Sequence, residues 1–288
     1  MPPSPGEDTV RERLRRLPAV LRQTLDTALP ALPPDAAARG ITTTGVGSSE
    51  AAARLLTHLL QSAGIRSSFL PFASFYSGDL PLPASPPYLA VFSQGLAPNA
   101  CMVLHRRAAF AGTLLFTAAT PAGQKQAGRT ERAALLETLL REGACILTHP
   151  EENEYLILPR FLGPVCALLT ACRVAEALAP GCCGGPAALA QIPDRFHPIP
   201  CAAADAAEAA AELRHHPVFL FSNSVGLYAQ NLAAKCMETL LTPPPLVADC
   251  FTYAHGLFQV HCALPAAKWL FCSADADEAD LFARLEPL

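Results

Sequence analysis

The sequence predicts an α/β protein, a three-layer αβα sandwich on parallel sheets, with a larger first domain and a short second one. Three observations carry this reading. Short apolar runs alternate with amphipathic segments of about 10–15 residues, the pattern of parallel strands joined by crossover helices. Strand ends run straight into Ser/Gly corners that open helices, as in "GITTTGVGSSEAAARLL" over residues 40–56. A Pro/Gly-rich stretch, "APGCCGGPAALAQIPDRFHPIP" over 179–200, interrupts the alternation, which then restarts.

In chain order, the N-terminal "MPPSPGEDTVRERLRRLPAVLRQ" reads as a disordered lead and then a helix, within a segment 1–34. The first domain, 35–180, takes strands near 41–45, 66–72, 88–93, 113–118 and 144–148. Each is rich in β-branched or large apolar residues and bounded by turn formers. Helices are expected near 48–63, 98–108, 131–142 and 163–178, where apolar residues recur at helical spacing. A linker follows over 181–202. The second domain, 203–288, reads as helix 203–214, strand 217–222, helix 226–241, strands 245–251 and 268–273, and helix 277–285. Its "FLFSNSVGLYAQNLAAKCMETLL" echoes "ITTTGVGSSEAAARLLTHLL", which suggests a duplicated unit cut short after two further strands.

Composition narrows the function. The 288 residues are 51% hydrophobic and 16% charged, enough for one large domain or two ordinary ones. A net charge of −4 gives no reason to expect nucleic acid or an anionic membrane. Apolar runs are broken before the roughly 20 residues of a membrane span. The N-terminal segment lacks a continuous apolar core, so no secretory signal is read there. The eleven cysteines are scattered, and free thiols in a reducing cytoplasm are expected. The close pairs Cys182–Cys183 and Cys166–Cys172 lack CxxC spacing, so no metal is expected.

The corners carry the chemistry. Gly45, Gly47, Ser48 and Ser49 sit where a strand becomes a helix, with Glu50 in the first turn. Unpaired amide groups and the positive end of the macrodipole suit an anion there. An ordinary capped turn serves the same residues equally. The third strand ends in "VFSQGLAPNACMVL", another polar corner with Ser93, Gln94 and Gly95. Ligands of open parallel sheets bind beyond the carboxyl ends of strands at a switch point, where both corners would converge.

At these residues the chain resembles the sugar isomerase (SIS) domain family. "TGVGSSEAAARLL" is similar to that family's first strand-loop-helix, and "FSQGLAPN" to a worn form of its phosphate loop, Ser-x-Ser-Gly-x-Ser/Thr-x-Asp/Glu. The resemblance spans roughly 35–275 as a tandem pair, like the isomerase half of a glucosamine-6-phosphate synthase, and implies flavodoxin-like sheets. Ser93 and Gln94 match; the next serine is Gly95 or missing, and the usual Ser/Thr becomes Ala97 or Pro98. Fewer hydroxyls imply weaker phosphate binding or an unphosphorylated ligand.

In "YAQNLAAKCMETLL", Asn231, Lys235 and Glu238 fall at i, i+4 and i+7, on one helix face. A surface ion pair is the plainer reading of that spacing alone. The resemblance implies instead that Glu238 is the base and Lys235 an oxygen-binding cation. It also implies that His255, in "FTYAHGLFQ", assists ring opening. The extra glutamate of the family is Asn231 here. Two further histidines, His215 and His216, read as solvent-facing at a helix end. His149 ends the fifth strand, before "HPEENEY" with Glu151, Glu152 and Glu154. That stretch reads as a solvated acidic loop, though the resemblance puts a glutamate such as Glu154 near the sugar.

The expectation is therefore a cytoplasmic aldose–ketose isomerase acting on a sugar phosphate or aminosugar, without metal or organic cofactor, and a homodimer. The catalytic candidates are Glu238, His255 and Lys235. The ligand-binding candidates are Gly47, Ser48, Ser49, Ser93, Gln94, Asn99, Glu154, Ser222 and Asn231. Two other readings stand beside it: a non-catalytic sugar sensor or assembly subunit, and an ammonia-accepting synthase subunit of an amidotransferase.

Overall fold

The computed structural model describes residues 5–76, 80, 82–150, 154, 160–196, 203–215, 217–222, 225–241, 243–263, 267–271, 280 and 283. The chain divides into two compact units, Met1–His197 and Pro198–Leu288.

Among the described residues the first unit is built on five parallel strands: β1 (Ile41–Thr44), β2 (Ser67–Phe69), β3 (Tyr88–Phe92), β4 (Thr113–Thr117) and β5 (Cys145–Thr148). Their order is β2-β1-β3-β4-β5, the flavodoxin-like doubly wound order. Register places Thr44 opposite Val91, so the chain leaves β1 and β3 at the same level of the sheet. Strand β2 is shorter than expected, because Pro71 lacks an N–H and the chain turns into a 3-10 helix at Phe72–Phe75.

Period-two alternation sorts the side chains onto two faces. Ala90, Phe92, Leu114, Phe116 and Leu147 pack under α3 (Ser48–Ser62) and α7 (Leu162–Leu178). Leu89, Val91 and Leu115 face the other way, under α4 (Pro98–Leu104) and α6 (Thr130–Arg141). These are the three layers. Outside them, α1 (Pro5–Asp26) lays Leu17, Val20 and Leu21 on Leu162, Cys166 and Leu169 of α7. Two short helices, α2 (Ala36–Arg39) and α5 (Pro121–Gln126), precede β1 and α6. Strand β1 is "ITTT", fully buried, and its hydroxyls are satisfied inside: Thr43 bonds Thr57 of α3 at 2.6 Å, and Thr44 donates to the Leu70 carbonyl at 2.6 Å. Threonine thus keeps a β-branched strand while its polar groups stay paired.

Within the stretch read as a linker, residues 186–195 form α8 (Pro186–Ala190) and α9 (Ile192–Arg195). Arg22 of α1 pairs with Asp194 of α9, and Ile192 joins the α1–α7 core, so this stretch belongs to the first unit.

Among the described residues the second unit has three parallel strands, β6 (Val218–Phe221), β7 (Leu246–Asp249) and β8 (Lys268–Phe271), in the order β7-β6-β8. This repeats the first three strands of the larger sheet. Helix α10 (Ala203–Arg214) precedes β6, and Glu212 accepts the Trp269 indole N–H at 2.8 Å. Helix α11 (Gly226–Leu240) puts Ala233 and Cys236 on one face, with Phe219, Val247, Trp269 and Phe271. The other face holds a crossover the sequence reading lacks: α12 (Cys250–Thr252), a π-helical turn at Tyr253–Leu257, and α13 (Phe258–Ala263). Tyr253, Leu257 and Phe258 pack there on Val218, Leu220 and Ala248. The Asp249 carboxylate caps this segment, accepting from the Phe251 and Thr252 amides at 2.9 Å. The helix expected over 277–285 falls almost wholly outside the described residues.

Candidate active site

β1 and β3 are parallel neighbours, and the strand order reverses between them, so both Ser/Gly corners leave the same carboxyl edge of the first sheet at its switch point. After β1, a Cβ on Gly45 would lie 2.5 Å from the Ser49 carbonyl oxygen, so only glycine lets the strand enter α3 this closely. Gly47 takes φ +61 at the N-cap. Ser48 and Ser49 are half-buried in the first turn of the 15-residue α3, and neither hydroxyl is hydrogen-bonded among the described residues. Glu50 pairs with Arg54 on the same helix at 2.7 Å.

After β3, buried Ser93 accepts the Ala97 amide on Oγ at 3.0 Å, which ties the corner to the start of α4. Leu96 is buried in the left-handed region at φ 52, a conformation that costs an L residue on the order of 1 kcal/mol or more. Asn99 turns its carboxamide oxygen back on the Ala100 amide at 2.9 Å.

Glu154 is not in a solvated loop. It is 1% exposed and serves as a remote cap for α7. Its Oε1 accepts the Phe161 and Leu162 amides at 2.6 and 2.8 Å; its Oε2 accepts the Gly163 amide at 2.8 Å and the Gln94 carboxamide at 3.3 Å. Buried Arg13 of α1 lies 3.8 Å away. The reason is local: Phe161 stands at the N-cap of α7 and has no acceptor in its side chain. A Cβ on Gly163 would lie 2.0 Å from Gln94 Nε2, so glycine there makes room for the amide. The signal that could have exposed this role is a long apolar helix whose own N-cap residue cannot cap. Arg13, inside an amphipathic helix, carried no signal at all.

His149 is buried, and neither ring nitrogen has a hydrogen-bond partner among the described residues. Burial pulls its pKa down to about 4. The folded state therefore refuses a proton that the unfolded chain takes up below about pH 6.5, so stability falls as pH drops from about 6.5 to about 4. The loss should reach about 3 kcal/mol at the acid end of that window. Urea unfolding at pH 7 and pH 4 should show this drop in the wild type, and His149→Gln should flatten it by that amount. Equal slopes in both proteins would refute the assignment.

In the second unit, Ser222 ends β6, buried, with its amide on the Phe271 carbonyl at 3.0 Å. Asn231, Lys235 and Glu238 do share one face of α11, turned roughly opposite to Ala233 and hence away from their own sheet. Lys235 Nζ donates to Glu238 Oε2 at 2.7 Å, with side chains 11% and 31% exposed. Lys235 is thus largely buried, not part of an exposed surface pair. Asn231 Oδ1 is buried without a partner among the described residues. His255 is exposed on the π-helical turn, a distortion found often at functional sites. That turn packs on the opposite face of the sheet from α11. One chain therefore joins Lys235, Glu238 and Asn231 but does not bring His255 to them.

A groove of about 1020 Å³ lies at the amino end of the first sheet, lined by residues including Tyr88, Arg107, Gly112 and Glu142. It is remote from both corners, and Arg107 and Glu142 neutralise each other through bonds of 2.7 and 2.8 Å. The chemistry points to the carboxyl edge instead. Among the described residues no helix is long and apolar enough to cross a membrane.

The class that these features define is one of fold: a doubly wound α/β fold shared with solved structures of sugar-phosphate enzymes. Over 96% of this chain, the fold is similar to tagatose-6-phosphate ketose/aldose isomerase from Escherichia coli, with TM-score 0.67, 15% identity and 77% of that chain covered. It is likewise similar to the C-terminal domain of glucosamine-fructose-6-phosphate aminotransferase from Francisella tularensis, with TM-score 0.66, 11% identity and 79% covered. Glucosamine-6-phosphate deaminase from Thermotoga maritima gives TM-score 0.66 at 17% identity, with 82% covered. No family model and no curated protein matches the sequence. At these identities the likeness establishes the fold.

Proposed function

We propose that the protein is an aldose–ketose isomerase of a sugar phosphate or aminosugar, built as a tandem of SIS-like units and working in the cytoplasm as a homodimer. The observation that carries the reading is the α11 face, where a buried ammonium and a carboxylate meet beside an unsatisfied amide oxygen. Isomerisation moves one proton between adjacent sugar carbons, which needs a base held near the carbon and a cation at the oxygen. Glu238 takes the proton from one carbon and returns it to the next, Lys235 holds the oxygen on which charge develops, and Asn231 accepts from a ligand hydroxyl. Within the first unit, Ser48 and Ser49, with their hydroxyls uncommitted at the N-terminus of α3, are suited to an anionic or hydroxylated group. Gly47 gives the backbone access there, Ser93 and Gln94 form the neighbouring corner, and Ser222 ends β6 within the second unit. Glu154 acts by positioning Gln94.

His255, on the other face of its sheet, reaches a site with Glu238 only from a second copy. In a C2 dimer, each site would then take Lys235 and Glu238 from one protomer and His255 from its partner. Mixing Glu238→Gln and His255→Asn protomers, each inactive alone, should restore about a quarter of the sites, since half the dimers are mixed and each holds one intact site. Deuterium incorporation at C2 of candidate sugar phosphates is the readout. No recovery in a mixture proved to exchange subunits would defeat the shared-site reading.

The sensor reading has one observation in its favour: the Ser93 hydroxyl oxygen is already occupied by Ala97. A sugar that raises the melting temperature of the wild type yet exchanges no deuterium would establish it in place of the isomerase. A ligand present at a hundredfold excess over Kd stabilises the native state by about 2.7 kcal/mol.

A further inference from the structure

We infer that Glu176, Cys182 and Cys183, with Cys172 beside them, form a binding site for a thiophilic divalent cation of the zinc class. The sequence separates these residues into misleading pairs. Cys166 turns toward α1 and takes no part. Cys172 and Glu176 lie one turn apart near the end of α7, and the chain folds back through Ala179–Gly185 to bring two more sulfurs against them. Cys182 Sγ and Cys183 Sγ are 3.6 Å apart, and the ligand atoms of Glu176, Cys182 and Cys183 all lie within 4.8 Å of one another. Cys183 Sγ also donates to the Cys172 carbonyl at 3.5 Å, which puts Cys172 beside the cluster.

Two thiolates on one tetrahedral zinc, each at about 2.3 Å, stand roughly 3.8 Å apart. The observed sulfur separation needs only a small adjustment to meet that. The carboxylate is held in place by the Gly181 amide at 2.6 Å and the Cys183 amide at 2.9 Å, as an outer shell orients a metal ligand. Both carboxylate oxygens are thus held by backbone amides, and among the described residues no Arg, Lys or His pairs with Glu176. A carboxylate fixed beside two sulfurs is a donor set suited to a thiophilic cation.

A metal ion displaces the proton from each thiol it binds, forming a metal–sulfur bond and releasing H⁺ to solvent. Two sulfurs and a carboxylate supply three ligands, and the fourth position of a tetrahedral ion stays open beside Cys172. A cavity of about 380 Å³ touching Cys182, Ala179, Pro180, Ser62 and Ala63 supplies an entry path. Since α7 runs back from the carboxyl end of β5, the cluster sits at the amino end of the sheet. The inference is independent of the isomerase reading.

The test is a cobalt titration of the reduced full chain. One cobalt per chain with a thiolate-to-metal charge-transfer band is expected, displaced by zinc and accompanied by proton release. The Cys182→Ser/Cys183→Ser variant should lose the band, and Glu176→Gln should weaken zinc at least tenfold. The same band in the double variant, or none in the wild type, overturns the site. Should that variant not fold, alkylation mapping of the wild type decides. Zinc should protect the peptide holding Cys182 and Cys183 at least tenfold while leaving Cys101 unchanged, and unprotected Cys182 and Cys183 refute the proposal.

Discussion

Glu238→Gln is expected to lower isomerisation by about 10²–10⁴-fold while ligand affinity changes only a few-fold. The substitution keeps the side chain's length and an oxygen within reach of Lys235 Nζ, which now bonds the carboxylate at 2.7 Å. What it removes is basicity. If Glu238 moves the proton, the loss appears in the chemical step, and deuterium from solvent enters C2 of the sugar with the wild type but not the variant. Lys235→Met should behave differently, weakening binding as well as turnover, because the ammonium would hold ligand oxygen in both ground and transition states. A Glu238→Gln protein that exchanges deuterium at the wild-type rate would remove Glu238 from the mechanism. A structure with a bound sugar far from α11 would do the same.

Glu154→Ala is expected to destabilise the protein by about 3–5 kcal/mol, a drop of roughly 6–20 °C in melting temperature. Few single carboxylates carry as much: three backbone amides of the first turn of α7, the Gln94 amide and an ion pair with buried Arg13 all converge on this one. Removing it strands buried donors, and the buried guanidinium loses a counter-charge. Glu154→Gln retains one acceptor oxygen and should lose roughly half as much. Chemical denaturation of the full chain at pH 7 measures both. A cost under about 1 kcal/mol for the alanine variant would mean that other groups satisfy the helix end. The same variant should also loosen Gln94, so sugar binding would weaken even where folding is supported by osmolytes.

Much of the fold was legible because it rests on local periodicity. Alternation in "YLAVF" and "TLLFT" marks strands covered on both faces, and the spacing of Ala52, Leu56 and Leu60 marks the helix that covers one of them. The Ser/Gly corners were legible for a similar reason, since the chain must turn sharply between strand and helix. The α12–α13 crossover was missed because "CFTYAHGLFQVHCA" has no clean 3.6 period. A π-helical turn shifts its phase in the middle. Residues 186–195 were missed because Pro and Gly read as linker, although Pro at the first turn suits a short helix well.

By itself the sequence determined the alternation of elements, the parallel sheets, the two corners and the shared helix face of Asn231, Lys235 and Glu238. All of these follow from backbone geometry and side-chain period within a few turns of chain. Only the tertiary structure decided what long-range packing controls. It turned Glu154 from a loop carboxylate into the cap of α7, because that helix begins at a residue that cannot cap itself. It gathered Cys172, Glu176, Cys182 and Cys183, because the chain doubles back after α7. It also set His255 on the far face of its sheet from Glu238. The cause there is the strand order: the crossovers from β6 to β7 and from β7 to β8 run in opposite directions, and right-handed crossovers of opposite direction must lie on opposite faces.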